Sequence, residues 1–158
     1  MNLSTNFTLE EMTESQTALR KGIDNTPSEA QIENGKRLCV LLLEPARASL
    51  CTWANQEVKM HTDSGFRCPE LNKDVGGSET SAHLDFLAAD EVPMLPKGLT
   101  LREVFDHLRQ DPTVPYDQII LECNAWIHFG MAKQGRKPRR QAKIATGGPG
   151  KWKYTIIK

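Results

Sequence analysis

Late in the chain two short β-prone runs, "YDQIILE" and "WIHFG", are separated only by "CNA", residues 123–125. This spacing constrains the fold more than any other feature. Two strands joined by so few residues can pair only as an antiparallel hairpin. Asparagine tolerates the backbone geometry of a tight turn. Alternation along the second strand puts Trp126 and His128 on one face and Ile127 and Phe129 on the other.

The first half reads as helices. "TLEE" (Thr8–Glu11) and "TESQ" (Thr13–Gln16) have capping-box spacing. They predict a short helix at about residues 14–21, stopped by Gly22. "TPSE" gives a stronger start, with Thr26 as cap, Pro27 at the first helical position and Glu29 reaching back. The helix that follows should turn Ile32, Leu38, Leu41, Leu42 and Ala46 toward a core, with Pro45 kinking or dividing it. The middle is rich in Gly, Ser, Asp and Pro. It predicts strands near 57–61 and 86–92 and a short helix near 69–74. "TLRE" (Thr100–Glu103) opens a helix with Val104, Phe105 and Leu108 inward. "KWKYTII" reads as a terminal edge strand, and "TGGPGK" as the turn before it. The expected fold class is α+β: one domain over 1–158, with N-terminal helices packed on a small, mostly antiparallel sheet. Within it, 1–54 is a helical lead-in, 55–132 a core, and 133–158 a basic loop and last strand.

At 158 residues the chain can build a real core without a metal or disulfides to staple it. Its formal net charge of zero demands no nucleic-acid or anionic-membrane partner. No apolar run approaches a membrane span. The start, "MNLSTNFTLEE", lacks the features of a secretory signal, which predicts synthesis in a cytoplasm. Cys39, Cys51, Cys68 and Cys123 form no CxxC or CxxH group and are expected as free thiols.

The chain has four histidines: His61, His83, His107 and His128. His107 reads as a surface or edge side chain and His61 as a strand end. His83 precedes Asp90 by seven residues, and His128 sits on the second hairpin strand. Two imidazoles and a carboxylate suit a catalytic zinc with one open position. Taken singly, each of these residues is also compatible with an ordinary hydrogen-bonded role, and spacing alone does not decide.

"SGFRCPELNKDVGGSETSAHLDFLAAD" (64–90) and the later "WIH" (126–128) resemble the signature of the M15 peptidases, zinc D-alanyl-D-alanine carboxypeptidase-like enzymes. The likeness is greatest to the branch found in phage endolysins. It implies zinc as cofactor and His83, Asp90 and His128 as metal ligands. It further implies Glu122 as catalytic base and Arg67 as a residue facing the substrate. Asp85 is the reserve base. The sequence departs from the family pattern at Ala82, Phe86, Cys68 and Ala125, where relatives often carry glutamine, glycine, serine and an acid respectively. None of these changes removes a ligand. Phe86 is expected to reshape a turn or narrow a cleft. Six extended residues would hold Glu122 and His128 roughly 20 Å apart, so Glu122 can serve only if "CNA" folds the chain back.

By the same resemblance, the partner is the stem peptide of bacterial peptidoglycan, cut as an endopeptidase or a carboxypeptidase. The protein is expected to be a monomer, made in the bacterial host's cytoplasm and acting on the wall after release, with no membrane partner. Two other readings stay open. One is a non-catalytic phage structural or wall-binding protein that keeps the fold. The other, disfavoured, is nucleic-acid binding through Lys133, Arg136, Lys137, Arg139, Arg140 and Lys143, a run without nearby aromatic residues for base stacking.

Overall fold

The helix starts form at or close to where the capping signals lie, with the caps of two helices shifted by two residues. The computed structural model describes residues 1–148 and 151–158. Thr8 caps α1 (Leu9–Thr13), accepting from the Glu11 N–H as the "TLEE" spacing requires. In α2 (Gln16–Lys21) the cap is Ser15, not Thr13, and Gly22 ends the helix at φ 67°. In α3 (Glu29–Leu38) Ser28 and Gln31 form the reciprocal capping box. The expected Thr26 cap is displaced, because the Thr26 N–H is held by the Asp24 carboxylate.

Pro45 marks a change of helix without a break. A single π-helical turn, Cys39–Leu43, joins α3 to α4 (Glu44–Ala54), and the Glu44 N–H reaches back to the Cys39 carbonyl. A wider turn absorbs the missing proline donor and the ring's clash with the preceding turn. The extra residue also shifts the helical phase. Leu38, Leu42, Leu43 and Ala46 are buried, whereas Leu41, expected inward, is half exposed.

Six strands follow: β1 (Met60–Ser64), β2 (Ala88–Pro93), β3 (Gln118–Glu122), β4 (Trp126–Gly130), β5 (Gln141–Thr146) and β6 (Lys153–Ile157). They form one sheet ordered β1-β2-β4-β3-β5-β6, with β3–β5 its parallel pair and the other pairs antiparallel. β1 starts later than the expected 57–61. The turn expected at "TGGPGK" includes positions 149 and 150, which lie outside the described residues. α5 (Pro69–Asp74) and a 3₁₀ turn (Ala82–Asp85) lie between β1 and β2, and α6 (Leu101–Gln110) between β2 and β3. The expected hairpin is present: Cys123 and Asn124 both adopt the left-handed region, at φ 49° and 53°, and Glu122 pairs with Trp126.

One face of the sheet builds the core. Ala89, Ile119, Leu121, Ile127 and Phe129 pack against Leu38, Leu42, Leu43, Val104, Phe105 and Leu108 of the helices. His107 is more than a surface residue. It meets the Ser49 hydroxyl at 2.8 Å and stacks on Trp53, while Ser49 also donates to Asp111. This cluster ties α4 to α6. All four cysteines are free. Among the described residues, no helix is long and apolar enough to cross a membrane.

Phe86 reshapes a turn and does not narrow a cleft. It adopts φ 56° and its ring is fully buried against Phe66. The left-handed conformation costs roughly 1–2 kcal/mol for a residue with a Cβ, and burying the ring returns about 1.5–3 kcal/mol. The balance holds because Gly35 leaves room: a Cβ there would lie 2.8 Å from the ring. Gly35→Ala should therefore destabilise the fold by about 1–3 kcal/mol, read as a lower urea midpoint.

The Asp111 carboxyl is held at about 2 by hydrogen bonds from Ser49 and Thr113. An unfolded aspartate titrates near ~3.9. The group thus stabilises the fold fully above that value, and the contribution fades as pH falls through about 2. Asp111→Asn should flatten the stability profile between pH 5 and 2 in denaturant titrations. An unchanged slope would count against this contribution.

Candidate metal centre

Strand register aligns the outer face of the sheet. Ser64 on β1 pairs with Asp90 on β2, Asp90 with His128 on β4, and His128 with Ile120 on β3. Directly paired residues project to the same face, so Asp90 and His128 meet by register alone. His83 arrives from outside the sheet. Ser81 caps the 3₁₀ turn that carries it, and the Phe86 N–H closes that turn on the His83 carbonyl.

The ligand atoms converge. His83 Nε2 lies 3.3 Å from His128 Nδ1 and 3.4 Å from Asp90 Oδ1, and His128 Nδ1 lies 2.8 Å from Asp90 Oδ1. These three groups could hold a metal ion. Zinc bonds of about 2.0–2.1 Å in tetrahedral geometry imply ligand–ligand edges of about 3.3 Å; the two edges to His83 match this, and the His128–Asp90 edge, at hydrogen-bond length, is shorter. The donor chemistry fits as well. His83 Nδ1 is bound at 2.6 Å to the Gly65 carbonyl, an acceptor. That bond fixes the proton on Nδ1 and frees Nε2, the outer-shell arrangement typical of metal-binding histidines.

Burial pushes the His83 imidazole toward its neutral form, partly opposed by the Asp90 charge. Burial also opposes ionisation of Asp90, yet its interactions with His83 and His128 hold its carboxyl well below the usual range. A neutral imidazole and an ionised carboxylate are the protonation states a metal requires.

Two residues that support the site were given no role in the sequence reading. Gly65 bends the "SGFR" turn so tightly that a Cβ would lie 2.2 Å from the Met12 carbonyl. Asn25 clamps the same turn, donating to the Thr13 and Phe66 carbonyls and accepting from the Cys68 N–H. Gly65 sits inside a quoted motif and was legible there, whereas Asn25 acts across the tertiary fold. A third polar group points the other way. Glu91 is buried on the core face and accepts from the Thr62 hydroxyl at 2.9 Å, and burial pushes its carboxyl well above the ordinary value.

The hairpin brings Glu122 to the same face, two pairs along from His128, where Trp126 Nε1 donates to it at 3.1 Å. Burial, then the Asp90 charge, raises its carboxyl above the ordinary value. Arg67 donates to Asp90 Oδ2 at 3.4 Å and keeps a buried Nε without a partner. It does not bridge to Asp63 or Asp74. Asp85, the reserve base, pairs with Lys133 at 2.8 Å and lies outside the cleft. Asp117 holds Arg139 and not a ligand histidine. Arg140 stacks over Tyr116 and donates to the Val114 carbonyl. Much of the basic run is thus taken up by structural contacts. The cleft over the site encloses about 1280 Å³, enough for an extended peptide rather than a single small molecule.

A model of the peptidase M15 family matches residues 5–130. The chain belongs to that family. No curated protein matches the chain significantly. M15 peptidases are generally zinc-dependent, which accords with the His-Asp-His triangle. Membership supports a metallopeptidase and a peptide-containing substrate.

Replacing His83, Asp90 or His128 by alanine should weaken zinc binding by more than the roughly 10–100-fold that follows loss of an outer-shell partner. Competition against a chromophoric chelator measures this. Wild-type affinity in all three variants would rule the triangle out as the metal site.

Proposed function

We propose that the protein is a zinc-dependent peptidase that cuts a peptide bond in bacterial peptidoglycan, as a phage endolysin-like enzyme. The observation that carries this reading is the placement of Glu122 beside three converging donor groups that could hold a metal ion. The choice of wall peptide rests on the sequence resemblance across 64–90 and 126–128. Synthesis in a bacterial host and action on the wall after release go with it.

In this reading His83 Nε2, Asp90 and His128 Nδ1 would hold the zinc. When bound, zinc supplies an acidified water at neutral pH and polarises the scissile carbonyl. Glu122 would act as the general base that takes a proton from the attacking water and as the acid that returns it to the leaving amine. Its partly buried position and the nearby Asp90 charge raise its proton affinity, which favours holding the proton between these two events. Trp126 fixes one oxygen of the carboxylate and leaves the other for this work. Arg67 steadies Asp90 through Nη2, and the part of its guanidinium that lines the cleft faces charge developing on the carbonyl oxygen.

Glu122→Gln should lower kcat by about 10²–10⁴ while zinc content stays at the wild-type level. Chromatography of a digest of purified peptidoglycan, with metal analysis of the same sample, gives both readings. Mass spectrometry of the new ends identifies the bond cut. A zinc-loaded wild type that releases no fragments would favour a binding protein that keeps the fold.

A further inference from the structure

The row of paired residues that carries Asp90 and His128 does not end at β3. Ile120 pairs with Lys143 on β5, and Lys143 with Ile156 on β6. Lys143 therefore stands on the same face as the metal ligands, two strands beyond His128, a lateral distance of about 10 Å at a strand spacing of ~4.8 Å. β5 and β6 lie outside the stretch that the family model matches.

Three lysine or arginine side chains line the cleft: Arg67, Arg139 and Lys143. Arg67 holds Asp90, and Arg139 holds Asp117. Among the described residues, Lys143 has no carboxylate partner; its ammonium lies over the Tyr154 ring, 5.4 Å from the centroid. Tyr154 comes from the neighbouring row, where Glu122 pairs with Ala145 and Ala145 with Tyr154. The small side chain of Ala145 lies between Tyr154 and Glu122 in that row. A cation resting on an aromatic face keeps donors for an incoming anion, and a lysine ammonium is a point charge that accepts a carboxylate from many directions.

We propose that Lys143 is a substrate-binding residue that recognises a carboxylate on the peptide, within about three extended residues of the bond that is cut. This rests on the peptidase reading above. Lys143 selects among substrates, and the chemistry remains with the zinc ligands and Glu122.

The test uses zinc-loaded protein and synthetic stem pentapeptides in which either the D-glutamate α-carboxylate or the C-terminal carboxylate is free or converted to a primary amide. Equilibrium binding is measured calorimetrically in the Glu122→Gln background, which halts turnover. One of the two amidations should weaken binding about tenfold. Adding Lys143→Met should abolish that preference, and adding Lys143→Arg should keep most of it. The inference is overturned if neither amidation matters, if no stem binds, or if the preference survives Lys143→Met. Turnover by the wild type separates the two failures. Cleavage of free and amidated stems alike, with no preference in binding, removes the role of Lys143 and leaves the peptidase. Absence of any cleavage removes the peptidase reading, while the binding ratios still decide on Lys143.

Discussion

Asp90 is a buried carboxylate placed within reach of two imidazoles and one guanidinium, and the surrounding structure is arranged to keep it ionised. An isolated charge in that position would be expelled or neutralised. Partners from three separate segments prevent this: the "SGFR" turn supplies Arg67, the 3₁₀ turn supplies His83, and β4 supplies His128. Each also contributes to the fold's framework. The Arg67 N–H bonds the His83 carbonyl, and the Gly65 carbonyl receives the His83 ring. The site and the scaffold therefore share the same hydrogen bonds.

Adjacent acids on β2 show how strand alternation divides labour. Asp90 faces the cleft, where its partners pull its carboxyl down, whereas Glu91 faces the core, where burial pushes its carboxyl up against the opposing hydrogen bond from Thr62. Both are buried, and the difference comes from what each meets. The same alternation places His128 and Trp126 over the cleft and sends Ile127 and Phe129 into the core. A one-residue slip in register between β2 and β4 would exchange these faces and dismantle both the core and the triangle.

Local chemistry made part of this readable in advance. The hairpin at Cys123–Asn124, the Gly22 stop and the inward face of α6 follow from turn, cap and periodicity rules that act over a few residues. Thr26 and Leu41 were misread for reasons that are also local, but competitive. Asp24 captured the Thr26 N–H, and the π-helical turn before Pro45 rotated the apolar stripe. His107, read as a surface or edge side chain, is partly exposed and has in addition a bridging role that was not legible. Its partners Ser49 and Asp111 lie on α4 and just beyond α6, and only the packing of those helices joins them.

The sequence by itself determined the donor types of the candidate site, the order of the motifs and the two-strand geometry that returns Glu122 toward His128, because these depend on residue identity and short-range spacing. Tertiary structure alone decided that Asp90 and His128 share a row, that Asp85 faces away, and that Lys143 and Tyr154 border the same cleft. Those outcomes depend on strand order and register. Both are set by the burial of whole faces across distant segments, a quantity that no local stretch of sequence contains.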